Sequence, residues 1–117
     1  MKRYLVESAA IRQNLETLKK RAGKARLFAV VKGNGYGLGL VPLAAICRDA
    51  GVDTFCVTEV SDAKQLRGAG FTQQILMIRP TCDVDEVHQL LDLSVILTVS
   101  SPDDAAVLNG IATQRKQ

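Results

Sequence analysis

Lys32 stands between the apolar run LFAVV and a stretch, Gly33 to Gly39, in which every second residue is glycine. Lysine is among the residues least often buried without a partner, so its place at the end of what reads as a buried strand needs a chemical reason. An amine desolvated there can lose its proton and attack a carbonyl as a nucleophile, which is Schiff-base chemistry. The competing reading of the residue alone is a snorkelling side chain whose ammonium stays in solvent. The glycines also invite comparison with phosphate cradles, and two such patterns fail. In G-x-G-x-x-G the third glycine would have to be Leu38 or Leu40, and the P-loop lysine follows its glycines whereas Lys32 precedes them.

Other reactive side chains form no competing cluster. Cys47, Cys56 and Cys82 are widely spaced with no CxxC pair, which argues against a disulfide framework and a zinc site and leaves them as buried thiols. His88, in DEVHQLLD, reads as a surface residue in mid-helix. Asp49, Glu59 and Asp62 flank helix starts and ends, where caps and dipoles favour acids, and none is assigned to catalysis.

The elements that must position Lys32 follow from periodicity and punctuation. Ser8 can cap a helix whose Ile11, Leu15 and Leu18 share a face, and Gly23 sits where a left-handed residue would end it. A strand is predicted from Leu27 to Lys32, followed after the glycine stretch by a helix carrying Leu40, Leu43, Ala44 and Cys47, with Pro42 in its first turn. TFCVTE, QQILMIR and SVILTVS give three further strands. Between them a helix led by Ser61 runs toward Gly70, and another starts at Asp83 with Glu86 three residues on, as in a capping box. Ser101 and Pro102 open a last helix. Continuous apolar strands alternating with helices indicate an α/β protein with a parallel sheet. Periodicity leaves open whether the sheet is a small doubly wound one or the first half of an eight-stranded barrel.

Composition bounds the function. With 117 residues, 47% hydrophobic and 23% charged, the chain can bury one core but not two. Its 15 basic and 12 acidic residues are scattered rather than gathered into a stripe with aromatics, so no nucleic-acid partner is indicated. LFAVV and SVILTV are far shorter than the ~20 residues of a membrane-spanning helix, and no membrane association is expected. MKRYLVES lacks the apolar core and small-residue cleavage site of a signal peptide, which makes the cytoplasm the expected compartment.

AVVKGNGYGLG closely resembles the pyridoxal-phosphate attachment motif of the alanine racemase family, AVVKANAYGHG. It keeps the apolar strand, the lysine, Asn34 two places on, and the Tyr36-Gly37 pair two places after that. The resemblance continues through VESAAIRQNLETLKK, similar to the family's opening helix, and through FCVTEVSDAKQLRGAG and QQILMIRP to SVILTVSS. On these grounds residues 1–117 are identified as a partial alanine racemase N-terminal barrel domain. The implied fold is the first half of a TIM-type (β/α)8 barrel: about four β/α units on parallel strands, preceded by an N-terminal helix. The C-terminal half of the barrel and the family's β domain are expected to be absent from this truncated segment.

The resemblance implies pyridoxal 5'-phosphate as cofactor, alanine as the small-molecule substrate, a homodimer, and interconversion of L- and D-alanine for peptidoglycan supply. By the same resemblance Lys32 holds the cofactor as a Schiff base and, once released by substrate, serves as one of two groups that move the α-proton. Tyr36 donates its hydroxyl to the cofactor phosphate, and Ile78, at the end of the third strand, lines the cofactor ring. The family's second base, a tyrosine from the partner subunit, and the arginine facing the pyridine nitrogen have no counterpart here, so the isolated chain is expected to be inactive. The alternative reading is a noncatalytic half-barrel module that self-associates through its open sheet edges. Two departures stand out: Gly33 and Gly35 replace the family's usual alanines, and Leu38 its histidine. They predict a looser loop, each glycine costing up to about 1 kcal/mol, and one polar contact fewer near the site.

Overall fold

Each apolar run singled out above contributes a strand, and the helices fall between them. The computed structural model describes residues 5–117; the first four residues of MKRYLVES lie outside them. In chain order the elements are α1 (Ser8–Ala22), β1 (Ala29–Val30), a short turn α2 (Lys32–Tyr36), α3 (Leu40–Asp49), β2 (Thr54–Val57), α4 (Val60–Gly68), β3 (Gln74–Met77), α5 (Val84–Asp92), β4 (Val95–Ile96) and α6 (Pro102–Arg115). The strands are all parallel and lie in the order β1-β2-β3-β4. A doubly wound sheet reverses its strand order at a switch point. Here the order never reverses, which is the winding of a barrel segment.

The register explains the core. Ala29, Phe55, Ile75 and Val95 are level across the sheet, as are Val30, Cys56, Leu76 and Ile96 one residue on. Successive side chains on a strand point to opposite faces. The first row, extended by Val31, Val57 and Met77, is packed with Leu40, Ala44, Leu66 and Leu90 of the helices in one core cluster. Phe55 and Phe71 meet edge to face there, ring centres 5.7 Å apart. The second row faces away from the helices; its edge-strand members Val30 and Ile96 are exposed, whereas Cys56 is buried and Leu76 half-buried.

Two arginines close the amino-terminal side of this layer. Arg26 donates to Asp53 Oδ1, Thr54 Oγ1 and Gln74 Oε1 at 2.9, 3.0 and 3.2 Å, joining three consecutive strand starts. Arg67 donates to the carbonyls of Phe71, Gln73 and Leu93, which would otherwise lack partners in the loops before β3 and β4.

Several local expectations are corrected. Only Ala29–Val30 of the expected Leu27–Lys32 strand pairs with β2, and Lys32 already belongs to the following turn. Ser8 and Ser61 lie inside their helices; extended Glu7 and Glu59 hold the cap positions without a side-chain bond. Asp83 and Ser101 do cap, accepting the N–H of Glu86 and of Asp104, and Pro102 fills the first turn of α6. The capping box at Asp83 is half formed, because the Glu86 carboxylate is drawn instead to Arg79 and Thr81. His88 is half-buried rather than on the surface: its Nδ1 lies 3.0 Å from Arg115 Nη1, between α5 and α6. The three cysteines are free, two of them buried and Cys82 half-buried. Among the described residues no helix is long and apolar enough to cross a membrane.

These caps rank the serines. Replacing Ser101 by alanine removes a formed cap and is expected to lower stability by about 1 kcal/mol in urea denaturation. Ser8→Ala and Ser61→Ala remove none and should stay within about 0.5 kcal/mol of the parent. Equal losses at all three positions would contradict the cap assignments.

Candidate active site at the carboxyl ends of the strands

The chain leaves β1 through a mirror-handed turn. Val31 N–H donates to Cys56 O at 3.0 Å as the last tie to β2. The backbone then enters the left-handed region at Gly33 (φ 62, ψ 43), Asn34 (54, 44) and Gly35 (65, 38), and Tyr36 and Gly37 follow with φ 55 and 87. Bonds from Gly35 N–H to Val31 O at 2.9 Å and from Gly37 N–H to Gly33 O at 3.1 Å close the turn. Asn34 explains its own place in the motif. It is one of the few L-residues that tolerate this region, its carbonyl accepts from Gly39 N–H, and its Oδ1 accepts from Leu40 N–H at 3.0 Å, seating α3 on the turn.

This geometry corrects the expectation of a looser loop. A left-handed conformation costs an L-residue with a Cβ roughly 1–2 kcal/mol. Glycine avoids that strain at 33 and 35, which offsets the unfolded-state freedom it adds. Leu38, where the resemblance expects histidine, lines an apolar cleft of about 180 Å³ with Ile11, Pro42, Leu43 and Ile46, between α1 and α3. It therefore contributes packing on the helix side of the turn.

Extending the register by two residues from Cys56, Leu76 and Ile96 makes Thr58, Ile78 and Thr98 the next level of the bare face, while Lys32 opens the turn after Val31, whose backbone (φ −120, ψ 18) has already left the strand. All four are half-buried. Ile78 N–H donates to Val57 O at 2.9 Å, and Thr98 Oγ1 donates to Met77 O at 2.7 Å. Arg79 fixes the next position: its Nε donates to Thr58 O at 2.9 Å while Nη2 lies 3.0 Å from Glu86 Oε2. That arginine, then the Thr81 hydroxyl, holds the Glu86 carboxyl below the usual carboxylate range. Burial, then Glu59, raises Asp62 nearby.

Of the residues expected from sequence, Ile78 lies on this level, Lys32 begins the turn after β1, and Tyr36, 63% exposed, follows Lys32 by one left-handed turn. Val31 does not shield the amine: it is fully buried on the helix side, while Val30 is 38% exposed on the bare face. Seclusion of Lys32 thus depends on what covers that face. Thr58 and Thr98 were missed by the sequence reading. The signal for them was the strand period counted onward from Cys56 and Ile96. Among the described residues no group of His, Cys, Asp and Glu could hold a metal ion.

Residues 6–117 match the family model for the alanine racemase N-terminal domain. Alanine racemase of Desulforamulus reducens is 38% identical over 109 residues, which cover 92% of this chain and 29% of that protein. Among solved structures, alanine racemase from E. faecalis superposes with a TM-score of 0.81 at 32% identity, over 93% of this chain and 29% of the other. Alanine racemase of Clostridium difficile 630 gives 0.84 at 26% identity, over 92% and 28%. The chain thus spans less than a third of the length of these relatives.

The turn itself can be tested by alanine substitution. A Cβ at Gly33 would meet nothing within 4 Å, whereas one at Gly35 would stand 3.2 Å from Leu43 Cδ2 and 3.4 Å from Leu40 N. Gly33→Ala is expected to cost at most about 1 kcal/mol, left-handed strain less the entropy gain. Gly35→Ala should cost about 1–2 kcal/mol more, from overpacking. Urea titration of both reads the difference, and equal losses would contradict the buried seat of Gly35.

Proposed function

Because the chain belongs to the alanine racemase family through its N-terminal domain, we propose that it forms the lysine-bearing half of a barrel that interconverts L- and D-alanine with pyridoxal 5'-phosphate. The observation that supports this reading is that Lys32 follows β1 directly, at the carboxyl end of the sheet, with Tyr36 one turn further on. Chemistry in α/β barrels gathers at that end.

The residues present fit the cofactor. Space is open around Gly33 and Gly37, where a Cβ would meet nothing within 4 Å, so a phosphate can approach the turn closely. The exposed Tyr36 hydroxyl is free to donate to it. Ile78 offers the ring an apolar wall, and Thr58 and Thr98 add hydroxyls at the same level. When bound, the cofactor supplies an electron sink for the α-carbon of the amino acid. Lys32 would hold the cofactor through its Nζ, and that amine would also be the group that moves the proton at the α-carbon on its own side. Inversion needs a second acid–base group on the opposite side. The resemblance assigns it to a tyrosine of a partner subunit, which makes a homodimer part of this proposal. A cytoplasmic setting and a role in D-alanine supply for peptidoglycan complete it.

The test is selective labelling. The 117-residue chain is incubated with pyridoxal phosphate, reduced with borohydride, digested and examined by mass spectrometry. Lys32 is expected to label at least several-fold faster than Lys19 or Lys24. Lys32→Ala should abolish the preferred site, and Tyr36→Phe should slow it by roughly the factor of ten that one lost hydrogen bond to a charged group represents. Labelling of Lys32 no faster than of the other lysines would overturn the assignment.

A further inference from the structure

The inner strand β2 and the residue after it carry two threonines of one parity, and the structure uses them differently. Thr54 and Thr58 both belong to the face turned from the helices, with Cys56 between them. Thr54 is fully buried and fully occupied: its hydroxyl lies 3.0 Å from Asp53 Oδ1 and 3.3 Å from Gln74 Oε1 and accepts from Arg26 Nη2 at 3.0 Å. Thr98, level with Thr58, donates its hydroxyl proton to Met77 O at 2.7 Å. A hydroxyl has one proton to give, so that of Thr98 is spent. Thr58 is half-buried, and its carbonyl accepts from Arg79 Nε at 2.9 Å, yet among the described residues its hydroxyl has no partner.

Both sheet neighbours of Thr58 belong to this chain, because β2 lies between β1 and β3. On one side is the turn that Lys32 begins, on the other Ile78. With strands spaced about 4.8 Å apart, these two stand about 10 Å from each other across the β2 position. The backbone there is pinned: Val57 O accepts from Ile78 N–H at 2.9 Å, and Glu59 continues extended (φ −126, ψ 144). A β-branched side chain on such a backbone has few rotamers to choose from. In the racemase reading Lys32 holds one edge of an aromatic ring and Ile78 is its apolar wall, so the ring crosses the β2 position. A hydroxyl covered by that ring without a partner would be destabilising. The ring itself supplies an acceptor, the phenolic oxygen next to the carbon that carries the aldehyde. Resting on that reading, we propose that Thr58 is a cofactor-binding residue whose hydroxyl donates to the phenolic oxygen of pyridoxal phosphate, a bond in which Thr98 takes no part.

The 117-residue chain is titrated with pyridoxal phosphate and trapped with borohydride, and the occupancy of Lys32 at each concentration is read by mass spectrometry. Thr58→Val keeps the shape and removes the hydroxyl; it is expected to raise the half-saturating concentration about tenfold, the scale of one hydrogen bond to a charged acceptor. Thr58→Ser, which keeps the hydroxyl, should behave as the parent does. With the analogue of pyridoxal phosphate that lacks the phenolic hydroxyl, Thr58→Val and the parent should bind alike. Thr98→Val should leave the ratio between the two ligands unchanged. If Thr58→Val fails to fold by circular dichroism, Thr58→Ala takes its place in the same comparison. Occupancy that loss of the Thr58 hydroxyl leaves unchanged, or weakens equally for both ligands, would overturn the proposal while the racemase reading stands. Absence of preferred labelling at Lys32 in the parent would overturn both.

Discussion

Four parallel strands held in register give a side chain only two destinations, and nearly everything else in this molecule follows from how the sequence fills them. Phe55, Val57, Ile75, Met77 and Val31 go to the helix side and are fully buried or nearly so. Each such burial is worth about 1.5–3 kcal/mol, so this face carries the stability. The other parity is thereby relieved of building the core that the described residues share with the helices. It can hold two threonines and an isoleucine at one level, with Lys32 in the turn after β1, without disturbing the packing behind them.

The two ends of the sheet are finished differently. At the amino ends a single guanidinium, that of Arg26, gathers Asp53, Thr54 and Gln74 into a static clip. At the carboxyl ends Arg79 ties the segment after β3 to the carbonyl after β2 and to Glu86 of α5. The left-handed turn after β1 is seated on α3 by Asn34. These fixtures hold the backbone around Lys32, Thr58 and Ile78 while leaving the side chains on the bare face free for a ligand.

What could be read from sequence follows the range of the interaction involved. Runs such as FCV and ILM announce buried parallel strands by composition alone, and Ser101-Pro102 announces a helix start because cap and first turn are adjacent in the chain. Ser8 and Ser61 misled because a serine near a helix start is compatible with several cap positions one or two residues apart. The choice between barrel and doubly wound sheet was not legible, since strand order is a long-range property on which periodicity is silent. Lys32 and Tyr36 stood out through a motif. That the turn between them is left-handed was only hinted at by the glycines, because Asn34 and Tyr36 share the conformation without being glycine. Thr58 and Thr98 became visible only once register was known.

The central claim, that ligand chemistry belongs to the carboxyl-end level of the bare face, is tested most directly by titrating the isotopically labelled chain with pyridoxal phosphate and following its amide resonances. The largest shifts are expected at Gly33 to Gly37, Thr58 and Ile78, with Arg26, Asp53 and Gln74 at the opposite end unmoved. Shifts concentrated at Arg26, Asp53 and Gln74, with the turn after β1 silent, would contradict it.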